Sequence, residues 1–386
     1  MTAPLHGTTV LELAEGVAGP YLGEQLAMAG ADVVKVETGA GDCSRGWVPL
    51  LDAGLSGPFV ALNQGKRSIR ADAADPRLIA WADVVITDDT HPGAGWFGGP
   101  QGIGAANPRV VCCSISGYGP DGPAGGEAGG DLPAEMASGA SASMGEPGGP
   151  PVRMPDGYPS AVAADYAVQA VVAALLERET SGLGQLVDVS LLGAMITMRS
   201  TLWVAHSDPD EWWGFHLDNA VKRPYRGHRT ASGQAYISVG GQAFDDGLAD
   251  RLGIPEIGDD LRWPLARAEG INPGSRHTDE LADLWVEPLS RFTVDELRDL
   301  LAPYGGQVQP ANTYPELVES PAAQAVGLVR EFDQPGVGRV RGIAAHWEFD
   351  GAKPPPLGGA PLLGEHTEQV LAELGGPTGT APDEEG

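Results

Sequence analysis

Between residues 8 and 116 short apolar runs rich in valine and isoleucine alternate with stretches of helical character. TTVLELA, DVVKVE, RSIRAD, ADVVITD and RVVCCSIS read as strands, and PYLGEQLAMAGA between the first two reads as a helix. Runs buried on both faces, returning in the same direction after each helix, predict an α/β fold with an open, largely parallel sheet and helices on its faces. The helix between the third and fourth strands must be very short, because only ADPRLIAW is available for it.

A parallel sheet of this kind often holds a dinucleotide at the turn after its first strand. Here that turn is EGVAGP, with no GxGxxG to bring the backbone close to a pyrophosphate. The phosphate-cradling GxxxxGK[ST] pattern is absent as well. The formal net charge of −28 argues against nucleic acid and anionic membrane surfaces as partners. It leaves open a small anionic ligand held by a local basic cluster. The start MTAPLHGTTV has no basic stretch followed by an apolar one, and AVQAVVAALL is too short to span a bilayer, so the reading is a cytoplasmic protein. Cys43, Cys112 and Cys113 have no zinc or redox spacing, which fits a reducing compartment. No histidine spacing suggests a metal site.

Downstream, a small-residue stretch ending in GEPGGPPVR leads into the strongest helix signal, AVAADYAVQAVVAALLERE. A strand QLVDVSL and a helix beginning LLGAMITM follow. SDPDEWWGFHLDNAVK reads as a linker whose paired tryptophans could line a pocket or an interface. A second region opens with hairpin-like alternation around Ser232 and Gly233, and the last residues, PTGTAPDEEG, read as a disordered tail.

The ordered set of motifs resembles the family III CoA-transferases, a group that includes formyl-CoA transferase, carnitine CoA-transferases and α-methylacyl-CoA racemase. GTTVLELAEGVAGPYLGEQLAMAGADVVKVE, GDCSRGW, FVALNQGKRSI, NPRVVCCSISGYGPDGP, LLERETSGLGQLVDVSLL and PLLGEHTEQVLAELG carry the resemblance across nearly the whole chain. It implies a Rossmann-like large domain over residues 1–205 and 330–386, a linker at 206–221, a smaller α+β domain at 222–328, and a tail from 377. It also implies two chains interlocked as a homodimer.

The same resemblance implies chemistry. Family transferases attack an acyl-CoA thioester with an aspartate at the start of the long helix, passing the acyl group through a mixed anhydride and an aspartyl thioester. The matching position here is Ser160, whose residue type suits a helix N-cap. As a nucleophile it would need a base, such as His91, His206, His216 or His228. Asp156, in a PDG turn, is the best candidate for a shifted carboxylate, and Asp165 stands about one helical turn beyond Ser160. The racemase branch uses a Gly-His-Asp run; its match is Gly129-Gly130-Asp131, which keeps only Asp131. Of the basic residues that meet CoA phosphates in the family, three positions are occupied here by Thr38, by the stretch Ala73-Ala74-Asp75 and by Phe97. Arg45, Lys66 and Arg67 remain as candidate ligand contacts, with Val17, Ala18 and Gly19 lining the acyl and pantetheine channel.

Three functions therefore stand beside one another. The joint loss of nucleophile and phosphate contacts favours an enzyme repurposed for another small organic acid or acyl substrate, requiring no cofactor and no longer tied to coenzyme A. An ordinary acyl-CoA:carboxylate transferase with a shifted carboxylate is the alternative, and a non-catalytic binding protein is the third.

Overall fold

The computed structural model describes residues 3–127, 129–144, 149–198, 227–264, 267 and 282–375. The expected linker at 206–221, with EWWGFH, His206 and His216, and the expected tail at 377–386 lie outside them.

Six strands form one sheet: Thr9–Leu13 (β1), Asp32–Glu37 (β2), Arg67–Arg70 (β3), Val84–Asp88 (β4), Val111–Ser116 (β5) and Leu186–Ser190 (β6). Their order is β3-β2-β1-β4-β5-β6, and every pairing is parallel, with Val10 opposite Val33 on one side and Val84 on the other. This is the doubly wound order, and its reversal between β1 and β4 opens a crevice at the carboxyl ends of the strands. The connecting helices are Ala18–Met28 (α1), Gly57–Leu62 (α2), Pro76–Trp81 (α3) and Gly99–Ala106 (α4). The third of these is a single short helix of six residues, as the available sequence requires.

Residues of β1 enter two apolar layers in turn. Val10 and Ala14 join one apolar layer with Leu22 and Leu26 of α1 and Ala163, Ala167 and Val171 of a long helix, Tyr158–Ser181. Leu11 and Leu13 join the opposite layer with Leu78, Ile79, Ile103 and Val370. The sheet is thus covered on both faces, which is why its strands read as unbroken apolar runs. The long helix has 24 residues and is apolar enough to cross a bilayer, but its small residues are buried against the sheet.

Between β5 and β6 the described residues form three helices, Asp131–Ala137 (α5), Ala140–Met144 (α6) and the long Tyr158–Ser181 (α7); Leu191–Met198 (α8) follows β6. The C-terminal part adds the antiparallel pair Val329–Gln334 (β10) and Gly338–Ile343 (β11) and the helix Thr367–Glu373.

Compactness divides the chain into Met1–Ser138, Met154–Met198 and Pro321–Gly386 as one unit, and Gly139–Arg153 with Arg199–Ser320 as the other. Compared with the boundaries read from sequence, 139–153 moves to the second unit and 321–328 to the first. That second unit contains the antiparallel sheet His228–Thr230 (β7), Gly233–Ser238 (β8) and Gln307–Pro310 (β9), with the hairpin at Ser232-Gly233. Phe244, Trp263, Trp285 and Leu297 centre its own core.

Candidate functional site

Beyond the end of β5 the chain turns at Gly117, and Gly129 returns to lie directly on it. A Cβ on Gly117 would stand 2.3 Å from the Gly129 Cα, so neither position tolerates a side chain. This contact delivers Asp131 as the first residue of α5, half-buried.

Helix α7 arrives at the same place from the other direction. Its N-cap is Gly157, in the left-handed region (φ 80°) with no side chain to cap the helix, and Pro159 occupies the first turn. The expectation that Ser160 is the cap is therefore corrected: Ser160 is the third residue inside the helix, where its backbone N–H has no intrahelical acceptor. Asp131 supplies one. Its Oδ1 accepts the Ser160 N–H at 2.8 Å and the Ser160 hydroxyl at 2.7 Å. A carboxylate on a helix N-terminus is favourably placed for its charge. The proline and the glycine are what make this tertiary cap necessary.

One turn along α5, Glu135 is 2% exposed and accepts the Met154 N–H at 2.7 Å. Asp131 and Glu135 thus tie both the start of α7 and the segment leading to it onto one short helix. Sequence reasoning missed Glu135; its only signal was the four-residue spacing in DLPAE, which places both carboxylates on one helical face. Val17 joins this group, its side chain 3.6 Å from where a Gly157 Cβ would stand.

Asp156, the expected shifted carboxylate, is exposed in the turn before Gly157, and Asp165 is exposed further along α7. Neither is hydrogen-bonded to Ser160, and Asp131 is its side-chain partner. Of the four histidines named as bases, His91 is buried. It bridges the Val36 carbonyl and the Gly93 N–H, and burial holds its pKa below the ordinary value.

Ala18 and Gly19 are not in a loop but in the first turn of α1. Gly19 is used for packing, since a Cβ there would overlap that of Ala14 at 2.2 Å. The three candidate cations are engaged by the protein itself. Lys66 is fully buried, and its ammonium meets Glu12 at 2.8 Å, the Pro20 carbonyl at 2.7 Å and Asn63 at 2.9 Å. All three donors are used, so none is left for a phosphate. Arg45 grips Glu37 through two 2.6 Å bonds with its guanidinium over the Phe59 ring. Arg67 pairs with Asp32 and Glu373. Lys66 and Arg45 are so engaged because Glu12 and Glu37 are themselves buried carboxylates that require counter-charge.

The turn after β1 explains the missing glycine fingerprint. Its Glu15 and Gly16 N–H groups, which point into the crevice in a phosphate-binding turn, are already taken by Asp88 at 2.8 Å and Asp42 at 3.2 Å. A pyrophosphate there would face two carboxylates. Burial, with Asp42 close by, raises the pKa of Glu15 as well. No group of three or more His, Cys, Asp or Glu among the described residues is arranged to hold a metal ion.

Asp131 stands apart from these saturated groups. Among the described residues its hydrogen bonds come only from Ser160 and only to Oδ1, which leaves Oδ2 without a donor. A carboxylate steered through one oxygen and unengaged at the other can accept a proton or attack an electrophile.

Comparison with known proteins converges on one group. The model of CoA-transferase family III matches residues 5–367. Succinate–glutarate CoA-transferase of Agrobacterium fabrum is 32% identical, covering 96% of each chain. Succinyl-CoA:glutarate CoA-transferase of Mus musculus is 30% identical, over 96% of this chain and 86% of its own. The crystal structure of a CAIB/BAIF family protein from Brucella suis superposes with a TM-score of 0.82 at 30% identity, covering 97% of this chain and 100% of that one.

Proposed function

Because the chain belongs to family III of the CoA-transferases, we propose that it moves coenzyme A from an acyl-CoA thioester to a free carboxylic acid, with Asp131 as the carboxylate that carries the acyl group. The observation that carries this reading is the 2.7 Å bond from the Ser160 hydroxyl to Asp131 Oδ1. Ser160 stands where the family resemblance calls for an aspartate. The bond puts a carboxylate from α5 beside that position, so the charge absent from α7 is restored from a neighbouring helix.

The steps balance with no further reagent. Asp131 Oδ2 attacks the thioester carbonyl, the carbon–sulfur bond breaks, and the thiolate of the CoA substrate leaves behind a mixed anhydride on Asp131. The thiolate then attacks the Asp131 carbonyl, forming an aspartyl thioester and releasing the first acid. The acceptor carboxylate reverses both steps and departs as the new thioester. Ser160 N–H and Oγ–H hold Oδ1, so they orient the reacting carboxylate and meet the negative charge that develops on that oxygen in the steps where the Asp131 carbonyl itself is attacked.

The hydroxyl–carboxylate pair also suggests a second reading, in which Asp131 deprotonates Ser160 for nucleophilic attack, as in hydrolysis. Chemistry favours the first. Transfer of a serine proton to an ordinary carboxylate is uphill by on the order of 10 kcal/mol, whereas carboxylate attack involves no proton transfer. The relatives are named for CoA transfer between carboxylic acids, which supports an ordinary transferase over the repurposed activity favoured from sequence. With Arg45, Lys66 and Arg67 engaged elsewhere, the phosphates of the CoA substrate must be met by other groups. An interlocked homodimer belongs to the same reading and rests on the resemblance, and a cytoplasmic location rests on the N-terminal sequence and the cysteine usage.

Intact-mass measurement after mixing with an acyl-CoA, followed by peptide mapping, tests the assignment. The expected result is a CoA thioester on Asp131, with Asp131→Asn forming no adduct and losing at least about a thousandfold in kcat. An adduct on Ser160 or Asp156 would sink the assignment to Asp131.

A further inference from the structure

The first unit holds a second feature that shares no residue with the Asp131 site. A cavity of about 180 Å³ is lined by Met28 of α1, Arg330 of β10, Ala344, Ala345 and the run Lys353 to Leu357, which includes three consecutive prolines. Its wall is mostly apolar, but two cations reach it. Arg330 bonds only to neutral oxygens, the Leu357 carbonyl and Gln64 Oε1, both at 2.7 Å. Lys353 likewise bonds only to the carbonyls of Val326 and Gly327. Neither forms an ion pair among the described residues, in a chain whose net charge is −28.

Elsewhere Arg45, Arg67, Arg77, Arg178, Arg262 and Arg298 each have a carboxylate partner, whereas Arg109 and Arg251, like Arg330, bond to backbone carbonyls. The carboxyl that acts on Arg330 is Glu24, 4% exposed on α1, and burial pushes its pKa up to about 7. At neutral pH it neutralises the guanidinium only in part. Two cations with no ion pair among the described residues, one of them partly neutralised by Glu24, over an apolar wall suit an amphipathic anion. The volume is comparable to a cavity of roughly 150 Å³ that accepts benzene, so it has room for a ligand of about six heavy atoms.

We propose that this cavity is a binding site for a short aliphatic carboxylate, with Arg330 and Lys353 meeting the carboxylate and Met28, Leu357 and the prolines receiving the chain. Butyrate has the right size and is the probe. Titrated calorimetrically into the full-length protein, it should bind once per chain with millimolar affinity, and this site should persist in Asp131→Asn. Lys353→Gln should weaken it about tenfold, the loss of one charge-assisted contact. Ala344→Leu should abolish it by filling the cavity, with circular dichroism confirming the fold; if that variant does not fold, Lys353→Gln carries the test alone. Three outcomes overturn the proposal: no binding up to about 50 mM, binding that disappears in Asp131→Asn, or binding unchanged in the cavity variants. Inorganic phosphate binding more tightly than butyrate would overturn the carboxylate class.

Discussion

Two clusters in the first unit are built around carboxylates, and they differ in one respect that decides their roles. Around Glu12 every charge is answered. Lys35 meets Glu12 and the Ala14 carbonyl at 2.8 Å and Asp42 at 2.7 Å, and Lys66 meets Glu12 and two neutral oxygens. Glu12, Lys35 and Lys66 have no exposed side-chain surface. Burial and the nearby Lys35 hold the Lys66 pKa below its ordinary value against the pull of Glu12. Around Asp131 one oxygen is answered twice and the other by none of the described residues, on a half-buried residue. Saturation makes the first cluster a structural joint between β1, β2 and the start of β3. An open oxygen suits the second one to the reactive role proposed for it.

Breaking the joint should have the larger effect on stability. Lys66→Met leaves Glu12 with a buried oxygen that has lost its counter-charge, and should cost about 3–5 kcal/mol in urea unfolding. It should lower activity only in proportion to the folded fraction. A selective loss of CoA binding in the folded variant would instead return Lys66 to the ligand-binding role expected from sequence.

Glu24 lies beside the joint without belonging to it, and its titration sharpens the contrast. Burial raises its pKa from 4.5 to about 7, while Lys66 and Arg330 pull it down. A carboxyl raised in the folded state supports folding while protonated. Its contribution is therefore complete below about pH 4.5, drains away between 4.5 and 7, and stays lost above that. The raise corresponds to about 3 kcal/mol. Glu24→Gln should be the more stable protein by about 1–3 kcal/mol at pH 8, and the difference should vanish near pH 4. Parallel urea midpoints for the two proteins across that range would show Glu24 to be ionised without penalty.

The smallest effect belongs to the open cluster. Ser160→Ala removes one of two donors to Asp131 Oδ1 but keeps the backbone N–H, so kcat should fall about tenfold with little change in KM. An unchanged kcat would reduce Ser160 to a helix residue; complete inactivity with no adduct on Asp131 would make it the nucleophile. Because these arms separate cleanly, this modest variant decides more about mechanism than the larger ones.

Much of this molecule can be read from residue order alone. Strand and helix periodicity places β1 to β6, α1, the very short α3 and α7, because sheets covered on both faces need continuous apolar runs and helices need a repeating apolar stripe. The missing GxGxxG argues against a dinucleotide, and in the structure Asp42 and Asp88 take the N–H groups of the β1–α1 turn. The family, too, is carried by the ordered motifs. What periodicity and motif could not say is which charge meets which. Lys66 and Arg45 stand in the sequence as candidate ligand contacts, and only in three dimensions are Glu12 and Glu37 seen against them. Asp156 lies four residues from Ser160 and Asp131 lies twenty-nine, yet the distant one makes the contact, because Gly117 and Gly129 bring α5 onto the first turn of α7. Charge pairing acts over a few ångströms of space, and the distance along the chain carries no record of it.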